Sequence, residues 1–230
     1  MLNELHKRIL TSVVLIFLIS LCIYIGLLGI IIALGVVSFI AYMEFSYLTN
    51  KIYKFSLIKN LLKHSVILCY FFIVFLLLTL QLIQNIHNFV FVLGICVFSD
   101  VGGYIVGKIV KGPKLTKISP NKTISGSVGS ILFSFIPLII LNYFLPDNFL
   151  LSNSNILFCV QITIVCQLGD LLISFFKRKA KVKDTGTILP GHGGLLDRID
   201  GIIFALPYAS YSLYGFDFFR SITYFLKNLL

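Results

Sequence analysis

The chain has 230 residues, of which 58% are hydrophobic and 12% charged, and its mean hydropathy is +0.98. Soluble domains carry roughly 25% charged residues, so this composition cannot cover a water-facing surface and excludes an ordinary soluble globular protein. The formal charge of +10 does not point to nucleic acid. The basic residues sit in short blocks between apolar runs, where they orient helices and meet anionic headgroups, and no basic surface alternates with aromatics as single-strand binders need.

Lys7 and Arg8 precede an apolar run too long for a cleaved signal peptide, and more spans follow, which predicts a retained first helix. Seven spans are predicted, within a range of about six to eight, at 9–28, 29–48, 61–83, 89–107, 126–145, 155–176 and 199–216. The first two form a hairpin closed near Gly26 and Gly29. The tail 217–230, with Arg220 and Lys227, fits either an interfacial helix or part of an eighth span. Cys22, Cys69, Cys96, Cys159 and Cys166 all fall in apolar stretches without a C-x-x-C pair, so they read as packing residues, not a disulfide framework or zinc site.

With the N-terminus in the cytoplasm, every basic residue except Arg220 and Lys227 falls at or between spans on the inner side, and the three outer loops hold none. That is the positive-inside pattern. The expectation is an all-α, polytopic transmembrane helix bundle forming one integral membrane domain, residues 1–230, in the cell's inner (cytoplasmic) membrane. Its two largest polar stretches, about 108–125 and 177–200, become the cytoplasmic catalytic loops.

Five of the nine acidic residues, Asp100, Asp170, Asp184, Asp197 and Asp200, lie in or beside those stretches. Asp100 and Asp170 each sit about two helical turns before a cytoplasmic helix end, on the order of 10–12 Å below the basic loops. A carboxylate at a helix centre costs about 2.5–3.5 kcal/mol on insertion scales. Two at similar depth suggest a shared polar cavity holding a cation, and hard carboxylate oxygens suit Mg²⁺. Glu44, at the cytoplasmic end of the second span, reads as a helix-end residue, with contact to the site as the alternative.

The most informative run is 174–200, S-F-F-K-R-K-A-K-V-K-D-T-G-T-I-L-P-G-H-G-G-L-L-D-R-I-D. It joins a basic cluster (Lys177, Arg178, Lys183) to a glycine-rich turn (Gly191, Gly193, Gly194) whose backbone N–H groups can approach an anion. Asp197 and Asp200 follow at i and i+3 on one face of a helix start. Basic groups, a phosphate-compatible turn and metal-binding carboxylates are what phosphoryl or nucleotidyl transfer needs.

At these residues the chain resembles the phosphatidate cytidylyltransferase (CDP-diglyceride synthase) family, whose signature S-x-x-K-R-x4-K-D-x-G-x2-L-P-G-H-G-G-x2-D-R-x-D is met at every specified position. A second block, D-V-G-G-Y-I-V-G-K at 100–108 with S-P-N-K-T-I-S-G at 119–126, is similar to the family's D-x-x-A-Y-x-x-G-R/K and S-P-K-K-T-x-E-G elements. It departs in Gly103 for Ala, Asn121 for Lys and Ser125 for Glu. The last change puts a metal or base role at that position in doubt.

The resemblance implies attack of a phosphatidate oxygen on the α-phosphorus of CTP, giving CDP-diacylglycerol and pyrophosphate for phospholipid biosynthesis. It implies Asp170 and Asp197 as principal Mg²⁺ ligands, with Asp100 and Asp200 at the same site or behind it, and Ser174 and Lys177 touching phosphate or metal. Lys122, Thr123, Lys183 and Arg198 are candidates for the triphosphate, and Gly193 and Gly194 for substrate contact. His192 reads as an orienting hydrogen-bond donor rather than a base. Phosphatidic acid enters sideways with its tails in the bilayer. A monovalent cation beside Mg²⁺ and a homodimer are left open. Competing readings are a related transferase acting on a polyprenyl lipid, and a transporter or channel, against which stands the absence of a visible repeat pair with broken helices.

Overall fold

The computed structural model describes residues 2–53, 56–145, 151–191 and 193–212. Its regular structure is helical: α1 (Leu2–Ile25), α2 (Leu27–Ile52), α3 (Leu57–Gln84), α4 (Ile86–Val110), α5 (Ile124–Phe133), α6 (Ile136–Phe144), α7 (Asn153–Lys179), α8 (Leu196–Ile199) and α9 (Ile202–Ser212). Among the described residues strand pairing is confined to two isolated bridges, Lys114 with Thr123 and Leu189 with Gly193.

Each predicted span has a helical counterpart. The helices α2, α3, α4 and α7 are long and apolar enough to cross a membrane, as is 124–144 taken as one span, while 10–25 of α1 and α9 are shorter apolar helices. Outward side chains include Ile16, Phe17, Phe39, Phe72, Val97 and Leu168, all largely exposed, an arrangement that lipid satisfies and water does not. The chain is an all-α, multi-pass membrane protein. The tail beyond 212, with Arg220 and Lys227, lies outside the described residues, as do Lys54, His192 and residues 146–150. Cys96, Cys159 and Cys166 are buried free thiols, Cys22 is half-buried and Cys69 is exposed.

Two boundaries differ from the sequence expectation. The first hairpin turns at Gly26 alone, with φ 86°, a conformation glycine adopts without steric cost. Gly29 lies inside α2, where an added Cβ would come 2.6 Å from the Cys22 carbonyl oxygen and 2.8 Å from Ile25 Cβ. Its missing side chain lets the two helices touch. The fifth span is broken at Ser134 and Phe135 into α5 and α6, because Pro137 has no N–H to donate back along the helix and Ser134 turns its hydroxyl onto the Ile131 carbonyl at 2.7 Å.

The chain forms two compact units, one of Met1–Ile83 with Asp170–Asp200, the other of Gln84–Gly169 with Gly201–Leu230. In the first, Phe45 of α2 meets Phe71 of α3 at 6.2 Å and Phe176 of α7 edge-on at 5.0 Å. Ala41, Leu48, Phe71, Val74, Ile173 and Leu196 are buried there.

In the second unit α4 and α5 pack backbone to backbone. An added Cβ on Gly129 would come 2.5 Å from Val106 Cβ and 2.8 Å from the Gly102 carbonyl oxygen, and one on Gly126 2.9 Å from that of Gly103. Such close approach is the small-residue packing of membrane helices. Asn85 caps α4 by accepting from His87 N at 3.0 Å and Asn88 N at 3.2 Å. The helix ends where Lys111 (φ 58°) and Gly112 (φ 116°) turn left-handed before Pro113.

Candidate active site

The last three turns of α7 supply the first group of side chains. Asp170, Ser174 and Lys177 follow the i, i+4, i+7 spacing that lines one helix face, and Ser174 Oγ donates to Asp170 Oδ1 at 3.3 Å. Lys177, Arg178 and Lys179 occupy the final turn, where cations complement the negative end of the helix dipole. The chain then reverses at Lys181, φ 55°, and returns as the glycine-rich run.

Lys177 Nζ donates to Asp197 Oδ1 at 2.7 Å, with the two side chains only 16% and 7% exposed. The other carboxylate oxygen, Oδ2, accepts from Thr185 N at 2.7 Å, Thr185 Oγ1 at 3.0 Å and Gly194 N at 3.1 Å. Burial pushes the Asp197 carboxyl up, but the hydrogen bond from Lys177, the backbone donors and the ammonium charge outweigh it and hold the group below the usual carboxylate range. Asp197 is therefore a carboxylate at neutral pH, and it ties α7 to the turn.

The turn is closed by paired bonds, Leu189 N to the Gly193 carbonyl at 2.9 Å and Gly193 N to the Leu189 carbonyl at 3.0 Å. Gly191 (φ 77°) and Gly193 (φ 88°) have left-handed backbones that disfavour any residue with a Cβ. The N–H groups of Gly193 and Gly194 thus point to acceptors inside the turn. The exposed cations of this segment, Lys181, Lys183 and Arg198 among them, can meet an incoming anion.

Glu44, read from sequence first as a helix-end group and only second as touching the site, proves central to the geometry. Glu44 lies two turns inside α2 and is 4% exposed. Its Oε1 accepts from Leu195 N at 3.0 Å, and its Oε2 from Leu196 N at 2.8 Å and Thr185 Oγ1 at 2.7 Å. Thr185, fully buried, was not singled out from the sequence. The available signal for Glu44 was an ionisable side chain inside an apolar helix, which by default marks a functional position.

The remaining predicted residues divide between the two units. Asp200, half-buried, directly follows α8. His192 lies outside the described residues. In the second unit, Thr123 is the N-cap of α5, accepting from Gly126 N at 3.1 Å. Lys122 is half-buried, and its backbone bonds to Ser119 and Leu115 shape the preceding loop. Ser125, where the resembled motif has Glu, contacts Thr123 Oγ1 at 3.0 Å and donates to the Lys111 carbonyl, so here it fastens the end of α4 to the start of α5. Asp100 is exposed on α4, one turn after Cys96.

Among the described residues no three His, Cys, Asp or Glu side chains gather as a metal cage. The donor chemistry fits a hard cation shared with substrate phosphates, which needs only one or two protein carboxylates. Asp170 presents its carboxylate beside the Ser174 hydroxyl, whereas both oxygens of Asp197 are engaged, Oδ1 by Lys177 and Oδ2 by Thr185 and Gly194, so Asp170 and not Asp197 is the carboxylate that fits such a cation directly.

A model described as the cytidylyltransferase family matches residues 56–216. The chain is 41% identical over 129 residues to a phosphatidate cytidylyltransferase of Staphylococcus haemolyticus, covering 54% of this chain and 48% of that protein. It is 42% identical over 130 residues to one of Rickettsia bellii, covering 53% and 56%, and 40% identical over 129 residues to one of Staphylococcus aureus, covering 54% and 48%. The chain spans about half the length of the curated relatives it matches.

Proposed function

The chain belongs to the cytidylyltransferase family, and from that premise we propose that it transfers CMP from CTP to phosphatidic acid, forming CDP-diacylglycerol and pyrophosphate. The observation that carries this reading is the Lys177–Asp197 contact at 2.7 Å. It joins the two ends of the S-x-x-K-R…D-R-x-D run and brings Asp197 to the face of α7 that carries Asp170, Ser174 and Lys177. The relatives named phosphatidate cytidylyltransferase support the choice of lipid acceptor.

In this reading an oxygen of the phosphatidate phosphate attacks the α-phosphorus of CTP. One P–O bond forms as the bond between the α- and β-phosphates breaks, and the electron pair leaves with pyrophosphate. The attacking oxygen is already anionic, so no strong base is needed, and the work is to bring two anions together and stabilise the leaving group. Lys177, Lys183 and Arg198 supply positive charge for the phosphates. Asp197 orients the Lys177 ammonium, and Ser174 donates a hydrogen bond beside Asp170. Asp170, with Asp197 and Asp200 behind it, would hold Mg²⁺, which supplies charge neutralisation at the phosphate oxygens. Roles for Asp100, Lys122, Thr123 and His192 rest on the resemblance of their motifs alone. We place the N-terminus and the 177–200 segment in the cytoplasm of an inner-membrane protein, on the distribution of lysine and arginine.

The test is reconstitution. Purified protein in detergent, given CTP, phosphatidic acid and Mg²⁺, is expected to release pyrophosphate and form CDP-diacylglycerol in equal amounts. Failure to form the nucleotide lipid contradicts the proposal.

A further inference from the structure

We propose that Glu44 is a positioning residue for this site. From α2, its carboxylate holds the glycine-rich turn and, through Thr185, the Asp197 carboxylate in the arrangement that receives anionic substrate. The inference rests on the transfer reading for what the site does, but its geometry stands apart from it. Glu44 also lies upstream of residues 56–216, the stretch matched by the family model.

A carboxylate that is 4% exposed persists in a membrane protein only when hydrogen bonds replace the lost water. For Glu44 the replacements come from the substrate-side loop, at sequence separations of 141 to 152 residues. Two backbone donors, Leu195 N and Leu196 N, fix the entry to α8 and therefore the position of Asp197 in its first turn.

Two glycines of the signature fit this role. An added Cβ on Gly186 would come 2.5 Å from Glu44 Oε1, and one on Gly194 2.5 Å from Glu44 Oε2. The loop is thus closed down onto the glutamate, and its small residues make room for that carboxylate.

Thr185 links the two acidic side chains. It has one hydroxyl proton and two carboxylate neighbours, Glu44 Oε2 at 2.7 Å and Asp197 Oδ2 at 3.0 Å, while its N–H goes to Asp197 at 2.7 Å. With Glu44 taking the hydroxyl proton, Asp197 keeps the Thr185 and Gly194 backbone donors on Oδ2 and leaves Oδ1 to Lys177. Removing the Glu44 acceptor lets that proton swing to Asp197 and frees the turn from α2. Both changes act on the residue that orients Lys177.

The experiment compares wild type, Glu44→Gln, Thr185→Val and Thr185→Ser as purified full chains. It measures kcat and KM for CTP, together with amide hydrogen exchange along the chain. Glu44→Gln keeps the side-chain volume but turns one acceptor oxygen into a donor facing other donors. The expected result is a fall in kcat/KM of about 10- to 100-fold, the equivalent of one or more lost hydrogen bonds to a charged group, with faster exchange confined to 185–197. Thr185→Val should show the same pattern, and Thr185→Ser, which restores the hydroxyl, should return to wild-type values. Wild-type kcat/KM in Glu44→Gln would overturn the proposal. So would a loss accompanied by equally faster exchange through α2 and α3, which marks a general packing role. A wild-type chain that forms no lipid product would sink the transfer reading. The exchange pattern would then still uphold or reject ordering of the turn by Glu44.

Discussion

Lys177, in the last turn of α7, donates to Asp197, in the first turn of α8, at 2.7 Å, and both side chains are largely shielded from water. A shielded pair of this kind is costly to break, because the remaining charge keeps its desolvation without its partner. Asp197→Asn is therefore expected to lose turnover and also to lower stability by about 1–3 kcal/mol. Activity and denaturant unfolding of the same preparation check both. Near-normal turnover would remove Asp197 from the account.

Asp170→Asn separates from that variant in kind. Asp170 receives the Ser174 hydroxyl on Oδ1 and is the proposed principal ligand for Mg²⁺. Turnover is expected to fall at least about 100-fold, the size of effect that loss of an electrostatic transition-state contact produces. Residual activity should require more Mg²⁺. A Mg²⁺ titration identical in shape to that of wild type contradicts the ligand assignment.

Lys183, exposed in the turn, is expected to act on binding. Lys183→Ala should raise KM for CTP by about 5- to 20-fold while leaving kcat close to wild type, the pattern of a contact made equally in ground and transition states. An unchanged KM removes Lys183 from the triphosphate site.

The depressed Asp197 carboxyl predicts an acid limb to stability. Its folded-state value lies below the ordinary aspartate value of about 3.9. Its contribution is therefore complete above that ordinary value and is lost as pH falls through the folded one. The stability gap between wild type and Asp197→Asn should be constant from about pH 8 to 5 and close below about pH 4. Unfolding midpoints across that range decide it, and a gap that persists undiminished to about pH 2 contradicts the assigned ionisation.

The glycine seam of α4 and α5 gives a prediction independent of chemistry. Gly129→Ala forces a methyl group toward Val106 Cβ and the Gly102 carbonyl oxygen, at 2.5 and 2.8 Å. Overpacking of this kind costs about 1–3 kcal/mol, which thermal unfolding in detergent would register. An unchanged midpoint would mean that the helices part at no cost.

Much of this architecture is legible in the residue order. Apolar runs long enough to cross a bilayer give the helices, but the break of the fifth span ahead of Pro137 was not read from them. The resemblance carried by the signature run names Ser174, Lys177 and Asp197, and Asp170 is named by the resemblance together with its depth in the helix. The contact that joins Glu44 to Thr185 stayed hidden for a physical reason. Their contact spans 141 residues, and a long-range hydrogen bond leaves no local periodicity. The glycine N–H groups were expected to face an anion, but which way a backbone donor points depends on dihedrals that only the folded turn fixes. Ser125 likewise gained its meaning from the Lys111 carbonyl across the loop.

The most direct measurement of the central claim follows label from CTP into lipid. With CTP radiolabelled at the α-phosphorus and phosphatidic acid as acceptor, label should enter an organic-soluble CDP-diacylglycerol. With label at the γ-phosphorus it should leave as pyrophosphate, and Asp170→Asn should cut both transfers at least about 100-fold. Label from the γ-position appearing in lipid, or equal incorporation by wild type and Asp170→Asn, would contradict the account.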